Sequence, residues 1–457
     1  MKASLQKIVS LLLITTAFFT SSKVSAQISL LRDINNGAST QGSFPSDLVV
    51  LGGYVYYSAY DGVTGTELWR SDGTSLGTTQ VKDINPGDGS GSPGQLVVVG
   101  SYIYFRANDG ENGTELWRTD GTNAGTIMVA DINPGAGNGS PGAFKVINST
   151  TLYFTANDGT SGTELWKTDV GTLSTSIVAD INPTGNSSPS YITLVSGTTV
   201  YFSADDGSTG RELWKSDGTS IGTVRIKDIN PTGNSSPEYL AVLSGTVYFA
   251  ASDGTNGSEL WSSNGTGAGT FMVSNINATG SSYPYYITAF GSYVYFSAND
   301  GAGTTGEELW RSNGTTTQIV SDVNVGASSS YPNDLVVSGS YLYFIAYTAA
   351  SGYEVFKTTG SGSTQININT AAFTGSDPWE LTNISGTLYF TANDGVKGDE
   401  LWKYNGTTAT QVDILPNAGG SSPNGYTLFG STVYFAADNG SGTELWKIST
   451  SGTTATQ

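Results

Sequence analysis

Acidic side chains recur in this 457-residue sequence at a fixed spacing, an Asp followed six residues later by a Glu, as in Asp109 and Glu115 or Asp158 and Glu164. Two carboxylates held close together have two chemistries open to them. They can serve calcium, which takes about six to eight oxygen ligands, or act as the acid and base of glycoside cleavage. The sequence contains no His and no Cys. That removes the commonest general base, every thiol nucleophile and Cys-ligated zinc. No EF-hand spacing, phosphate loop, nucleophile elbow or metalloprotease helix signature is present.

The Glu stands in every copy of one phrase, at Glu67, Glu115, Glu164, Glu212, Glu259, Glu308, Glu354, Glu400 and Glu444. An acid repeated so evenly marks architecture before it marks one active site. In the architectural reading Asp closes an Asx turn ahead of a Gly at positive φ, and Glu accepts backbone N–H groups from the crossover that follows. Turn chemistry accounts for Asp and Gly together, so that role is favoured for Asp109, Glu115, Asp158 and Glu164. Calcium ligation is the alternative.

The elements that position these acids follow from the repeat. Its Trp falls at 69, 117, 166, 214, 261, 310, 402 and 446, with Phe356 in the seventh slot, a spacing of 44 to 49 residues. The unit at residues 95–134 holds four strand-length runs rich in β-branched and aromatic residues, separated by Gly, Asn and Asp. Both faces of "YIYFRA" and "TELWR" are substantially apolar, so neighbouring repeats must cover each small sheet. Four-stranded sheets of this length stacked face to face are β-propeller blades. An all-β propeller is therefore expected, with a straight solenoid as the less favoured alternative. "ISLLRDI" at 28–34 has the pattern of a fourth strand without three strands before it, and the last repeat stops where its fourth strand is due. The two ends would complete one blade, giving nine, with eight as the alternative count.

The repeated phrase resembles the ELWxxDGT repeat family of secreted bacterial proteins. "ELWRSDGT" at Glu67, "ELWRTDGT" at Glu115 and "ELWKSDGT" at Glu212 fit it residue by residue, while "ELWKTDVGT" at Glu164, "ELWSSNGT" at Glu259 and "EVFKTTGSG" at Glu354 depart from it. The resemblance covers essentially everything after Gln27. It implies a propeller with a surface role and leaves the ligand open.

Residues 1–26 read as a secretory signal peptide, with Lys2 and Lys7 before an apolar run and small residues ending at Ala26. Residues 27–457 are then one propeller domain, expected outside the cell or on its surface. The apolar run is shorter than the roughly 20 residues of a membrane span. A formal charge of −19, more negative still without that leader, repels nucleic acid and anionic membrane and attracts cations and basic partners.

The repeats differ most in the crossover loops between blades. The residue before proline is Ser92, Ser140, Ser188, Ser236 and Ser422 in five of them, but Phe44, Tyr283 and Tyr331 in three others. Just after proline, Tyr285 and Trp379 replace smaller or polar residues. Tyr283, Tyr285, Tyr331 and Trp379 thus collect in consecutive crossovers between blades five and eight, on one sector of one face. Aromatic planes there would stack a sugar ring, and packing around irregular loops is the competing role. The expected function is binding or adhesion through this sector, to a glycan or a cell-surface component. A carbohydrate-active enzyme on the same fold and a spacer without ligand are the alternatives.

Overall fold

The computed structural model describes residues 29–32, 34–35, 42–370, 374–415 and 419–451. The leader reading and the C-terminal "TTATQ" lie outside them. The described residues form nine four-stranded antiparallel sheets and no helix. Blades one to eight span 46–82, 94–130, 142–179, 190–227, 238–274, 285–321, 333–366 and 379–412, each with its strands in sequence order. Their first strands touch one another all the way round, and Asn424–Phe429 returns to Ser46–Leu51. The sheets form a closed ring with the first strands inside.

The ninth blade is composite, as the chain ends imply. Ser29–Leu30 pairs antiparallel with Thr443–Ser449, Ser29 opposite Lys447 and Leu30 opposite Trp446, and the Leu31 N–H donates to the Leu445 carbonyl at 3.2 Å. Leu31 and Ile34 are buried with Val55, Tyr57 and Trp69 of blade one and Tyr434 and Leu445 of blade nine. Every other blade interface has a matching apolar layer. Between blades one and two, for example, Tyr56, Leu68, Val81 and Ile84 face Leu96, Ile103, Phe105 and Trp117.

Two polar staples repeat round the ring. On one face, a third-strand basic residue donates to the turn carbonyl of the next blade: Arg70 to Gly121 at 2.7 Å, Lys167 to Gly218 at 2.7 Å, and, across the closure, Lys447 to Gly73 at 2.6 Å. On the other face each phrase Glu is buried and holds the crossover that leaves its blade. Glu115 accepts from the N–H groups of Ile132 at 2.7 Å and Gly139 at 2.5 Å, and Glu164 from Ile181 at 3.0 Å, Ser187 N–H at 2.8 Å and Ser187 Oγ at 2.5 Å. Glu444 does the same across the closure, taking Ser43 N–H at 3.0 Å and Ser43 Oγ at 2.6 Å. A buried carboxylate with fixed donors satisfies crossover amides that burial would otherwise leave unpaired.

Candidate functional site

The crossover enters each first strand through a proline, and the second residue after it carries positive φ in every blade. Asp47, Gln95, Ala143, Tyr191, Tyr239, Tyr286, Asp334 and Glu380 have φ between 49° and 59°, and Gly425 has 72°. Strand pairing shifts register at this point, as between Ser46 and Val49 or Tyr285 and Thr288. Such a bulge re-aims a side chain. Because the backbone repeats, the fold sets the position and the sequence varies only what is displayed there. The nine residues make a ring at the channel mouth, with tyrosines in blades four to six and carboxylates in blades seven, eight and one.

The tyrosines touch. Ring centroids lie 5.6 Å apart for Tyr191 and Tyr239, 5.4 Å for Tyr239 and Tyr285, 5.5 Å for Tyr239 and Tyr286, and 5.8 Å for Tyr283 and Tyr285. These are stacking distances for aromatic pairs. The arc still faces solvent, with Tyr191 40%, Tyr286 41% and Tyr283 51% exposed. Beside it is a concavity of about 510 Å³ lined by Tyr191, Tyr239, Tyr286, Thr288, Asn333 and Asp334 among others. Burial, then the Glu238 carboxylate, pushes the Tyr191 hydroxyl up to about 12. Burial followed by neighbouring tyrosines and Glu238 also raises Tyr239 and Tyr285. The three hydroxyls therefore stay protonated and can donate.

In the next two blades round the mouth, Asp334 accepts the Leu381 N–H at 2.7 Å and Glu380 the Gly425 N–H at 2.7 Å. Burial raises both carboxyls against those donors, and the nearby Asp334 adds to the rise at Glu380.

Of the aromatic residues singled out by the sequence, Tyr283 and Tyr285 are brought together and joined to the arc through Tyr239. Tyr331, 49% exposed, stands at the entry to blade seven, and Trp379, half-buried, opens the first strand of blade eight opposite Thr391. Neither has a ring contact with the arc among the described residues. The other members of the arc, Tyr191, Tyr239 and Tyr286, are not distinguished by the residue just after proline. The signal was one position further on, in "PSY", "PEY" and "PYY".

The repeated acids are placed as the turn reading expects. Asp109 accepts from the N–H groups of Glu111 at 3.0 Å and Asn112 at 2.8 Å and from the Asn112 amide at 2.8 Å; Asp158 accepts from Thr160, Ser161 and the Ser161 hydroxyl. Partial burial works to raise these two carboxyls, but the donors outweigh it and hold both below the usual range. Glu115 and Glu164 are committed to their crossovers. Among the described residues no group of three or more acidic side chains is arranged to hold a metal ion.

These opposite shifts predict a pH dependence. Burial pushes Glu67, Glu115, Glu308, Glu354 and Glu400 up to about 7 against their backbone and hydroxyl donors. Between the ordinary Glu range and about 7 the folded chain binds more protons than the unfolded one, so stability falls as pH rises through that window. The turn aspartates act the other way. Asp206, held at about 2 by Thr209 and Ser208 donors against its desolvation, contributes stability that is lost as pH falls below the ordinary Asp range. The melting temperature is expected to peak at roughly pH 4–5 in a calorimetric series. A melting temperature that climbs steadily from there to pH 8 would contradict the direction given for the buried glutamates.

A family model described as "Outer membrane protein assembly factor BamB" matches residues 104–303, under half of the chain. No curated protein sequence matches. Among solved structures, a prolyl endopeptidase aligns at 11% identity over 76% of this chain and 54% of its own, with a TM-score of 0.43. A puromycin hydrolase mutant complexed with PGG aligns at 13% identity over 79% and 59%, with a TM-score of 0.36. The chain thus spans little more than half the length of either. At that similarity neither protein's chemistry carries over.

Proposed function

We propose that this is an exported binding propeller whose ligand is a glycan held on the tyrosine arc at the channel mouth. The observation that carries the reading is the continuous run Tyr191, Tyr239, Tyr285 and Tyr283, with Tyr286 against it, spanning three blades in a scaffold whose other blades place Asp, Gln, Ala, Glu or Gly at the same ring position. Packing alone would bury such rings, whereas these keep one side in solvent beside a concavity. Rigid aromatic planes with polar tips suit sugar rings, whose C–H faces stack while their hydroxyls meet Tyr, Thr288 and Asn333. Tyr331 and Trp379 stand at the next two blade entries, where a longer glycan leaving the arc would extend.

The test is titration of a neutral and amino-glycan oligosaccharide panel against the mature chain and its variants. Tyr239→Ala is expected to weaken binding by roughly tenfold or more with little change in melting temperature. Trp379→Ala should matter only for long oligosaccharides. Phe249→Ala, at a fully buried ring of the same blade as Tyr239, should instead cost about 3–5 kcal/mol of stability. A Tyr239→Ala variant that melts early and binds every panel member as the parent does would remove the arc from the binding reading.

Hydrolysis is the second reading, favoured by Asp334 and Glu380 as neighbouring carboxyls at the same mouth. An acid and base pair works when environments push two pKa values apart, and here both move upward. Binding is therefore preferred. Release of reducing ends that disappears in Asp334→Asn would reverse that preference.

A further inference from the structure

We infer that the glycan recognised at the channel mouth carries free amino groups, so that the ligand is a cationic amino-sugar polymer. The inference rests on the glycan reading above and adds the ligand's charge.

Its basis is the company the tyrosines keep. Asp334 lines the same concavity as Tyr191, Tyr239 and Tyr286, and the Glu238 carboxylate acts on Tyr191, Tyr239 and Tyr285, with Glu307 acting on Tyr285 as well. Among the described residues the ion pairs are Arg225 with Asp206, Arg225 with Asp228 and Lys397 with Asp413. Asp334, Glu238 and Glu307 thus have no basic partner within ion-pair distance. Asp334 and Glu238 are half-buried, and a partly desolvated carboxylate without a counter-charge is costly unless something cationic completes the site. Asp334 has the Leu381 N–H and Glu307 the Ser297 hydroxyl as donors, but a neutral hexose polymer would bring these acids no counter-charge. An ammonium on the sugar would pair with Asp334 while the sugar ring stacks on Tyr239 or Tyr286, and the negative face of those rings attracts the same charge. The formal charge of −19 adds long-range attraction for a polycation. Carboxylates alone would accept any cation, whereas the run of ring planes across three blades asks for repeating flat units.

The experiment uses the whole mature chain and four probes of matched length: a glucosamine oligomer, an N-acetylglucosamine oligomer, a glucose oligomer and oligolysine. Titrations run at about pH 6, below the range of an aliphatic amine, at low and high salt. The glucosamine oligomer is expected to bind at least tenfold tighter than its acetylated and glucose counterparts. High salt should narrow that margin, and Asp334→Asn should erase most of it by weakening the glucosamine oligomer far more than the acetylated one. Equal binding of the acetylated and free-amine oligomers would overturn the charge assignment and leave the glycan reading standing. Oligolysine binding as tightly as the glucosamine oligomer would overturn the sugar assignment, because charge alone would then suffice. Absence of binding to every saccharide would overturn both.

Discussion

Removal of residues 27–44 is expected to lower the melting temperature by roughly 10 °C or more, the largest effect any short deletion should have on this chain. Three losses coincide. Strand Ser29–Leu30 no longer pairs with Thr443–Ser449, so Trp446, now 2% exposed, lies next to an open sheet edge. Leu31 and Ile34 leave the apolar layer between blades nine and one, each worth about 1.5–3 kcal/mol of burial. Glu444 loses the amide and hydroxyl of Ser43. An array whose ends are not joined keeps only nearest-neighbour contacts and frays from the break. Differential scanning calorimetry of the truncated and parent chains decides the matter. Coincident melts would mean that blade nine closes the ring without its N-terminal strand.

The second large effect is expected at a phrase glutamate. Glu212→Ala leaves the Ile229 N–H, the Ser235 N–H and the Ser235 hydroxyl without the acceptor that now lies 2.7, 3.1 and 2.7 Å away. Glu212 is fully buried, so water cannot readily replace it. The Ile229 N–H is orphaned, at about 1–3 kcal/mol, the Ser235 N–H and hydroxyl keep only the Arg211 carbonyl at 3.0 and 3.2 Å, and the cavity adds to that. A loss of roughly 4 kcal/mol and a melting temperature lower by about 5 °C follow. Glu212→Gln separates the roles, since its amide oxygen can still accept while its NH₂ group faces a donor. It is expected to fall between parent and Glu212→Ala. A Glu212→Ala variant as stable as the parent would mean that the crossover keeps its place without the carboxylate.

Much of this architecture was legible in the sequence because each repeat had to bury both sheet faces and could do so only against another repeat. The unpaired "ISLLRDI" segment even located the closure, and nine blades followed from counting it. The turn at Asp109 has a local signal, Gly after Asp, whereas Glu115, inside strand Thr114–Thr119, meets donors 17 and 24 residues further on. The tyrosine arc was legible only in part. Tyr283 and Tyr285 stood out against Ser and Gly in equivalent loops. Tyr191 and Tyr239 did not, since a Tyr one residue into a strand reads as ordinary β-sheet composition. Only the bulge, with positive φ at that residue in every blade, turns the position toward the channel mouth, and a bulge of that kind has no composition signature in a slot that holds Asp, Gln, Ala, Tyr, Glu and Gly in turn.

The measurement that tests the binding account most directly is a crystal structure of residues 27–457 with the tightest-binding oligosaccharide of the panel. The account predicts sugar density over Tyr191, Tyr239 and Tyr286, with a polar substituent at Asp334. Density confined to the outer strands or to the opposite face, with the arc empty at saturating ligand, would contradict it.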